Sequence, residues 1–422
     1  MHLDDLPRFG SVSLIGLLAL TSCGGGGEDH RSSVEYEPAS LNEADALTEV
    51  VNASTRFGSE SLSELAEGQN TVVSPASILV ALAMLAEGAR GPAAQELDGL
   101  LGAAGSERTE AFSALQAAVL EYDGDPEVVQ EDELPETPLL HLANQLVLAE
   151  STSPEQDFMD VLAAAFDAGV VTTDFGAAGS QRLLDDWVNE HTGGLIEESA
   201  VETPNADLVF VLQNAILLAA RWQSQFDPAD TSERDFTTPD GATVDAETMH
   251  QTLEAEYTEH DDAQIIRLPY TEAFAMDVVL PAEGSAPTDF TDEDWAAVDA
   301  AFIGQERATV DLALPTVDLR TGEDLVALLR NLGGSETVAG NDLSRIDPAV
   351  EIGQLAHQAV LTIDEEGTVA AAVTEIVGVT SAPADPPKTV EMTVDRPFSL
   401  RIVHEETSWP LFMAAIFDPT ED

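Results

Sequence analysis

The chain has 422 residues, and 79 Asp and Glu against 16 Lys and Arg give a formal net charge of −63. All the basic residues except Lys388 are arginine. Because nucleic acids and anionic bilayers are bound through a basic face, this composition excludes both as partners. High net charge opposes collapse, but 44% of the residues are hydrophobic, so the chain can still bury a large core.

The start of the chain resembles a secretion signal. Ser11–Leu20 is an apolar run of ten residues, too short to span a bilayer but long enough for a signal-peptide core. It leads into Leu20-Thr21-Ser22-Cys23, which resembles the lipobox of bacterial lipoproteins, where the cysteine becomes the lipid-carrying N-terminus. The alternative is a buried N-terminal strand with an incidental thiol. Asp4 and Asp5 beside Arg8 depart from the usual basic leader.

Cys23 is the only cysteine, and its position favours lipidation. We therefore expect residues 1–23 to be a lipoprotein signal peptide and residues 24–40 a Gly-rich, acidic tether. The protein would then be extracytoplasmic, anchored by lipid to a bacterial membrane or cell surface, or released from it. A lipidated Cys23 leaves no thiol for a disulfide, so packing alone has to stabilise the rest.

From about Leu41 the pattern is globular, which predicts a single domain over residues 41–422. Ser74-Pro75 is typical of a helix N-cap followed by proline at the first helical position, and the apolar Ile78–Ala86 predicts that this helix is central. A later helix face is predicted for Phe112, Leu115 and Val119. Glu121–Pro138, with eight acidic residues and three prolines, predicts a solvated surface loop.

The second half of the chain mixes strands with helices. Leu208–Ala220 is a buried strand or helix, and its Val, Ile and Phe content favours a strand. Further strands are predicted at Val310–Leu314, Phe398–Ile402 and Leu411–Phe417. Thr321, with Asp324 three residues later, predicts the start of a helix with one face formed by Leu325, Leu328, Leu329 and Leu332 and an end at Gly333-Gly334. Without regular βαβ alternation, the fold class is α+β.

The sequence contains no motif that indicates an enzyme. It lacks a Gly-x-Ser-x-Gly elbow, a Gly-rich phosphate loop and a His-Glu-x-x-His pair. None of the eight histidines is spaced from another as metal ligands are, and we expect His404-Glu405-Glu406 to form a solvated turn. We therefore predict no catalytic residue, no metal and no cofactor.

Ile363–Val379 (IDEEGTVAAAVTEIVGV) has a composition that favours a strand over an alanine-rich helix, because its β-branched residues lose rotamer freedom in a helix. With a period of two, one face carries only small residues and the other ends in Glu375. The small face consists of Thr368, Ala370, Ala372 and Thr374; the other consists of Val369, Ala371, Val373 and Glu375. Such a segment is suited to becoming a central strand, and Pro383, Pro386 and Pro387 mark an exposed loop end.

At this segment the sequence resembles the serpin family. Glu365-Glu366-Gly367-Thr368 followed by alanines is similar to the serpin reactive-loop hinge, and Asp395-Arg396-Pro397-Phe398 to the block after that loop. Further blocks resemble the family in the same order, and the resemblance extends from about Leu41 to Pro419. These blocks are Asn70–Leu97, Asp186–Ile196, Asn214–Phe226 and Leu268–Pro281.

The resemblance implies a serpin fold with three β-sheets, about nine helices and a reactive-centre loop at about residues 365–390. It also implies a suicide-substrate inhibitor of serine proteases: the protease forms an acyl-enzyme with the loop, and the cut loop inserts into the main sheet and distorts the protease. The partner is the target protease in a covalent complex, and we expect a monomer. The alternatives are a non-inhibitory serpin acting as an extracytoplasmic binding or chaperone-like protein, and an unrelated acidic hydrolase.

The resemblance also assigns roles to single residues. The hinge consists of Glu365, Glu366, Gly367, Thr368, Val369, Ala370, Ala371, Ala372, Val373 and Thr374, in which Val369 and Val373 depart from the usual small residues on the outward face. A cluster at the sheet opening consists of Ser74, Ser77, Asn214 and His357, with Trp222 where the loop first inserts and Thr231 and Phe236 in the same block. The alternative for each of the four cluster residues, taken singly, is a purely structural role as a helix cap, a polar residue in a strand or a histidine in the core.

Family spacing places the scissile bond about fourteen residues beyond Gly367, at Ser381–Ala382. The stretch to Pro397-Phe398 is longer than in many relatives, so the bond can also lie elsewhere in the window formed by Thr380, Ser381, Ala382, Pro383 and Ala384. Small uncharged residues there favour an elastase-like or subtilisin-like target. A trypsin-like target is disfavoured, because no basic residue lies near the bond.

Overall fold

A computed structural model describes residues 28–29, 34–131, 133–340, 342–347, 352, 355–368 and 389–421. The helices in these ranges are α1 (Leu47–Leu65), α2 (Pro75–Gly88), α3 (Gly91–Leu101), α4 (Gly105–Val119), α5 (Gln156–Phe166), α6 (Ser180–His191), α7 (Asp292–Phe302), α8 (Val326–Asn331) and α9 (Ser335–Val338). No helix in the described part of the chain combines the length and the apolar character needed to cross a membrane.

The strands in the described ranges fall into two hydrogen-bonded sets. They are β1 (Glu28–Asp29), β2 (Thr71–Val73), β3 (Leu139–Ala149), β4 (Gly169–Thr173), β5 (Phe210–Arg221), β6 (Ser232–Thr237), β7 (Thr243–His260), β8 (Ala263–Pro269), β9 (Phe274–Leu280), β10 (Ala308–Pro315), β11 (Val317–Asp324), β12 (Ala356–Ile363), β13 (Gly367–Thr368), β14 (Val390–Thr393), β15 (Phe398–His404) and β16 (Trp409–Ile416). The α+β class predicted from the sequence is confirmed.

The first sheet has seven strands in the order β1-β4-β3-β5-β13-β12-β11. Strands β3 and β5 are antiparallel and paired from Leu139 opposite Ala219 to Leu148 opposite Phe210. On the other side, β11 and β12 pair along their whole length. The two-residue strand β13 joins these halves, pairing with β5 on one side and with β12 on the other.

The second set follows the order β14-β10-β7-β8-β9-β15-β16-β2, with β6 also on β7. The long strand β7 belongs to two layers: Thr243–Ala255 pairs with β6 and β10, and Glu256–His260 pairs with β8. Two of the three predicted sheets are therefore continuous through β7.

Helix α2 forms the centre of the molecule. Its N-cap Ser74 accepts a hydrogen bond from the Ser77 backbone N–H at 3.1 Å, and Pro75 takes the first helical position, as the sequence predicts. All its residues are buried, and it packs against β5 of the first sheet and β16 of the second. The helix therefore connects the two sheets mechanically.

The predicted helix start at Thr321 is wrong. Thr321 lies in strand β11 opposite Ala359, and its hydroxyl accepts a hydrogen bond from the Val72 N–H at 2.9 Å. Helix α8 begins at Val326, and Leu325, Leu328 and Leu329 are buried as expected. The capping signal at Thr321 is local, and pairing with β12 overrides it, because a complete strand ladder satisfies more backbone groups than one cap.

The acidic segment 121–138 is only partly the solvated loop that its composition predicts. Two 3₁₀ turns, Leu120–Tyr122 and Pro126–Gln130, interrupt it. Val129 and Leu134 are buried in a small apolar cluster with Leu217 and Ala219 of β5. The segment therefore packs on the seven-stranded sheet at the end of β5 that pairs with β13.

Candidate functional site

Among the described residues, strands β5 and β12 of the seven-stranded sheet are bridged only by the two-residue strand β13. On the sides that face each other, the described ladders are limited to Ala220 and Arg221 of β5 and Ile363 of β12, all with β13. Because β13 is antiparallel to both, β5 and β12 run parallel to each other. We call the space between them, beyond Thr368, the sheet gap.

A cavity lies along the sheet gap. Its lining includes Asn214 and Leu361 from the two facing strands, Phe412 from β16, and Trp187 and Val188 from α6. Thr368 lines the same cavity. The gap is therefore bounded by β5 and β12 at its sides, by β16 on one face and by α6 on the other.

The backbone of the hinge is held at the entrance to the gap. The Trp222 N–H donates to the Glu366 carbonyl at 2.8 Å, and the Phe226 N–H donates to the Glu365 carbonyl at 3.0 Å. The Trp222 indole Nε1–H donates to the Asp364 carbonyl at 2.8 Å. The Trp222 ring stacks on Tyr270, with centroids 4.5 Å apart. These bonds fix where the hinge leaves β12.

The hinge side chains are also paired. Thr231 Oγ1 donates to the Glu365 carboxylate at 2.6 Å, and the Leu134 N–H donates to the Glu366 carboxylate at 3.3 Å. The hydroxyls of Thr368 and Tyr270 lie 2.5 Å apart, and both residues are buried. Burial raises the pKa of Tyr270, so its hydroxyl stays protonated and available as a donor.

Gly367 is required at the first position of β13. A Cβ on this residue would lie 2.0 Å from the Ala220 carbonyl oxygen, closer than any non-bonded contact allows. Ala220 belongs to β5 and directly follows Ala219, the last β5 residue paired with β3, so its backbone cannot move without disturbing that ladder. Only glycine therefore lets the hinge enter the sheet in this register.

The four predicted cluster residues converge at the N-terminus of α2. The Ser77 hydroxyl donates to Asn214 Oδ1, and the Ser74 hydroxyl donates to the Leu411 carbonyl at 2.7 Å. His357 Nε2 accepts from the Ser74 backbone N–H at 3.2 Å. One residue of β5 and one of β12 are thus bound to the same helix end, beneath the sheet gap.

His357 is uncharged in this cluster. Burial lowers its pKa to about 4, so the ring is neutral at physiological pH. Because Nε2 accepts from Ser74, the ring proton of the neutral form lies on Nδ1. The lining beneath the gap is therefore polar but carries no charge.

The hydrogen bonds continue beyond the predicted residues. Asn214 Nδ2 donates to Asn144 Oδ1 at 2.5 Å, and Asn144 Nδ2 donates to Gln116 Oε1 at 3.2 Å. The sequence did not point to Asn144 or Gln116, and it included Tyr270 only within the family-like block Leu268–Pro281. Asn144 and Asn214 lie directly opposite each other in the β3–β5 ladder, so only the register could have identified the pair.

Several predicted site residues lie outside the described residues. They are Cys23, the hinge positions Val369, Ala370, Ala371, Ala372, Val373 and Thr374, and the scissile window Thr380, Ser381, Ala382, Pro383 and Ala384. The structure places Glu365, Glu366, Gly367 and Thr368 at the entrance of the gap, beside Trp222. The cluster residues lie farther along the gap.

One group in the described ranges has the donor types of a metal site. His260 Nε2 lies 3.0 Å from Asp294 Oδ1 and 4.0 Å from Asp261 Oδ2. The second oxygen of Asp294 accepts from the N–H and the hydroxyl of Thr291 and so caps α7. Both oxygens of Asp294 therefore already accept hydrogen bonds within the protein. The group lies at the β7–β8 turn, apart from the sheet gap.

Comparison with known proteins identifies the family. Residues 52–419 match the family model described as Serpin (serine protease inhibitor). Serine protease inhibitor 42Dd of Drosophila melanogaster is 31% identical over 330 residues, which cover 75% of this chain and 84% of that protein. Corticosteroid-binding globulin of Ovis aries is 29% identical over 367 residues, which cover 84% of this chain and 81% of that protein.

Among solved structures, the native-state crystal structure of the thermophilic serpin tengpin matches with a TM-score of 0.79 and 20% identity, over 93% of this chain and all of that one. This match shows the fold, and the family model covers most of the chain. Together with the hinge, the sheet gap and the uncharged cluster beneath it, these matches show that the chain belongs to the serpin family, whose members are in general protease inhibitors and not enzymes.

Proposed function

We propose that this protein is a suicide-substrate inhibitor of serine proteases whose cleaved loop inserts into the sheet gap. The observation that supports this most directly is the position of β13. It occupies the first positions of a site flanked by the facing edges of β5 and β12. An entering strand can pair on both sides, and the backbone hydrogen bonds formed there supply the driving free energy.

The registers of β13 against β5 and against β12 predict where each following residue would lie. Thr368 is opposite Ala220 on β5 and opposite Ile363 on β12. Antiparallel pairing continued without a bulge places residue 374 opposite Asn214 on one side and opposite His357 on the other. Thr374 would then enter the uncharged cluster. It is the second threonine, after Thr368, on the face of small residues predicted from the sequence.

The coincidence of the two registers supports insertion as a central strand. Residues directly opposite each other share a face of the sheet, so Thr368, Ala370, Ala372 and Thr374 would face α2 and β16, where space is limited. The hydroxyl of Thr374 can exchange hydrogen bonds with Asn214 and His357. The small residues of this face, with threonine opposite the polar cluster, thus match the lining of the gap.

The scissile bond and the target are part of the same proposal. We place cleavage at Ser381–Ala382, within the window from Thr380 to Ala384, and propose an elastase-like or subtilisin-like protease. Small uncharged residues in the window suit a shallow specificity pocket and leave a trypsin-like enzyme without its basic side chain.

The test is incubation with elastase and with subtilisin, followed by denaturing electrophoresis. We expect a complex that survives denaturation, with cleavage between Thr380 and Ala384. Cleavage without a complex, and without a large rise in the thermal stability of the cleaved protein, would contradict the proposal.

Two variants of the same residue type test the insertion register. Ala372→Arg places a long cation on the face toward α2, so we expect cleavage as a substrate in place of inhibition. Ala371→Arg, on the opposite face, would meet α6, which is less firmly packed than the buried helix α2, so we expect it to impair inhibition less. Equal stoichiometry of inhibition for the two variants would show that the predicted faces are wrong.

A second candidate function is a non-inhibitory binding or chaperone-like role. Its support is the similarity to corticosteroid-binding globulin, a relative whose name describes ligand binding. Against it stands the predicted hinge, which carries no proline or bulky charge between Thr368 and Thr374. Cleavage without complex formation in the electrophoresis assay would favour this candidate.

We also propose that Cys23 carries a lipid that holds the protein, as a monomer, on the outer side of a bacterial membrane. The lipobox-like sequence Leu20-Thr21-Ser22-Cys23 supports this. Expression of the full chain and of Cys23→Ser, followed by membrane fractionation, tests it. We expect the variant to leave the membrane fraction, and retention of the variant would contradict lipidation.

The charge supports a further proposal, that the protein is adapted to salt-rich surroundings. A net charge of −63 repels itself and opposes compactness, and salt screens that repulsion. The midpoint of thermal unfolding should therefore rise from low to molar potassium chloride. A midpoint that does not rise with salt would contradict the proposal.

A further inference from the structure

Helix α6 is attached to the central sheet by a hydrogen bond between two histidines. His191, the last residue of α6, has its Nδ1 2.9 Å from Nε2 of His141 on β3. The other nitrogen of His141, Nδ1, lies 2.6 Å from Oδ1 of Asp123, in the segment between α4 and β3. We call these three residues the α6 latch.

The other contacts of α6 differ along its length. Leu184, in the first half of the helix, lies in a small apolar cluster with Val147 of β3 and Val211 of β5. Two amide side chains add bonds to backbone carbonyls: Gln213 donates to Leu184 at 3.1 Å, and Gln130 donates to Gly193 at 2.7 Å. Because the apolar cluster holds the first half of α6, the hydrogen bond between the histidines is a substantial part of what holds the last turn of the helix to the sheet.

The latch lies beside the sheet gap. Trp187 and Val188 of α6 and Thr192 just beyond it line the gap cavity. A strand entering the gap would project alternate side chains beneath this end of α6. Helix α6 therefore has to yield for a strand to enter, and its attachment limits how readily that happens.

We propose that the hydrogen bond between His141 and His191, held in line by Asp123, is an acid-sensitive latch, and that protonation of both rings releases the end of α6 and opens the gap to an entering strand. The release itself is a property of the fold. Its consequence for inhibition, faster loop insertion in acid, rests on the proposed function.

The chemistry of the contact supports this role whichever tautomer is present. A hydrogen bond between two imidazoles needs a bare nitrogen on one ring and an N–H on the other. When both rings are protonated, two N–H groups and two positive charges face each other across 2.9 Å. That arrangement is repulsive, so the doubly protonated latch opens.

The charged groups around His191 determine the pH at which the latch opens. Asp123 approaches from the segment before β3, which also carries Asp125 and Glu127, while Glu190 precedes His191 on α6. From β5, the residue opposite His141 is the uncharged Leu217, and the Trp187 ring lies 4.5 Å from the His191 ring. Of the ordinary side chains, imidazole is the one that changes its charge between about pH 5 and pH 8, so histidine is the residue type expected to respond in this range.

Burial, and then the charge of His141, lower the pKa of His191 to about 4, while Asp123 acts in the opposite direction. In the released state the ring regains an ordinary pKa of about 6.5. The closed state therefore loses stability as the pH falls from 6.5 towards 4. By linkage, release becomes about 30-fold more favourable at pH 5 than at pH 8.

Amide hydrogen exchange tests the latch. The exchange of the intact protein is measured at about pH 8 and pH 5, corrected for the intrinsic exchange rates, and the protection of α6 is compared with that of α1. We expect the protection of the C-terminal half of α6 to fall about 10- to 30-fold in acid. In His191→Gln, whose amide can still bond to His141 but does not titrate, the fall should be absent. His191→Leu removes the titrating group with an apolar side chain and serves as the second variant.

His250→Gln is the matched control, because His250 also bonds to a carboxylate, Asp311 at 3.0 Å, but lies on β7. It should keep the wild-type response. A second readout is uptake of a synthetic peptide with the sequence of residues 368–378, which should be faster in acid for the wild type and unchanged for His191→Gln.

An acid response of α6 that is the same in the wild type and in both His191 variants would overturn the latch. Neither measurement uses a protease, so the acid-sensitive latch and the proposed inhibition of proteases can be contradicted independently. Absence of any covalent complex, with the α6 response intact, contradicts only the proposed inhibition.

Discussion

Two buried polar clusters in the described part of the chain, one at each sheet, have opposite character. Between the second sheet and α7, the side chains of Arg401 and Asp277 are fully buried and 2.7 Å apart. Arg267 bonds to the same carboxylate at 2.6 Å, and Arg401 also lies over the Trp295 ring at 4.4 Å. Beneath the sheet gap, by contrast, the cluster built on Asn214 and His357 carries no charge.

The difference follows from what each sheet has to do. A buried charge that loses its partner incurs a penalty of several kcal/mol, so an ionic cluster holds its elements in one arrangement. Neutral amides, hydroxyls and imidazoles can exchange partners at about 1 kcal/mol each. The charged cluster lies between α7 and a continuous sheet. The neutral one lies where an entering strand would replace existing bonds, so its composition is suited to opening.

The largest expected effect is in the ionic cluster. Arg401→Met leaves Asp277, which is fully buried, with Arg267 as its remaining guanidinium partner. We expect the free energy of unfolding to fall by about 3–5 kcal/mol, measured by urea denaturation. Arg90→Met, which breaks the exposed pair with Glu155, is the control and should cost less than about 1 kcal/mol. Equal losses for the two variants would remove the contrast between the clusters.

An intermediate effect is expected from pH. The pKa of His357 is about 4 in the folded protein, below its ordinary value, so its stabilisation is complete above about pH 6.5 and declines as the pH falls towards 4. Between pH 7.5 and pH 5 this single group should remove about 2 kcal/mol from the free energy of unfolding.

The variant His357→Gln tests the origin of that loss. Its free energy of unfolding should fall less in acid than that of the wild type, by about the same 2 kcal/mol. The ionic cluster should not contribute in this range, because Arg401 and Arg267 overcome the effect of burial and lower the pKa of Asp277. A pH response unchanged by His357→Gln would place the acid-sensitive group elsewhere.

The smallest expected effect is at the entrance of the gap. Trp222→Phe keeps an aromatic ring on Tyr270 but removes the indole bond to the Asp364 carbonyl. We expect a loss of about 1 kcal/mol in urea denaturation, the value of one neutral hydrogen bond. If Trp222→Phe lowered the free energy of unfolding more than Arg401→Met does, the entrance of the sheet gap, and not the ionic cluster, would be the more rigid part.

Local signals in the sequence identified much of this arrangement. Ser74-Pro75 predicted the start of the central helix, and the apolar run through Asn214 predicted β5, because capping and strand propensity act over a few residues. The same kind of signal failed at Thr321, where pairing with β12 decided the structure. The hinge was recognisable because its glycine and small residues are contiguous in the chain.

The amino-acid sequence alone was enough to predict the central helix, most of the strands and the membership of the family, because these depend on residues that are close together in the chain. Only the tertiary structure brought His141 to His191, which are 50 residues apart, and Asn144 to Asn214, which are 70 apart. No spacing along the chain predicts either pair, since each depends on the register of β3 against β5 or on the docking of α6. The contacts expected to control the opening of the sheet are therefore long-range ones, decided by packing.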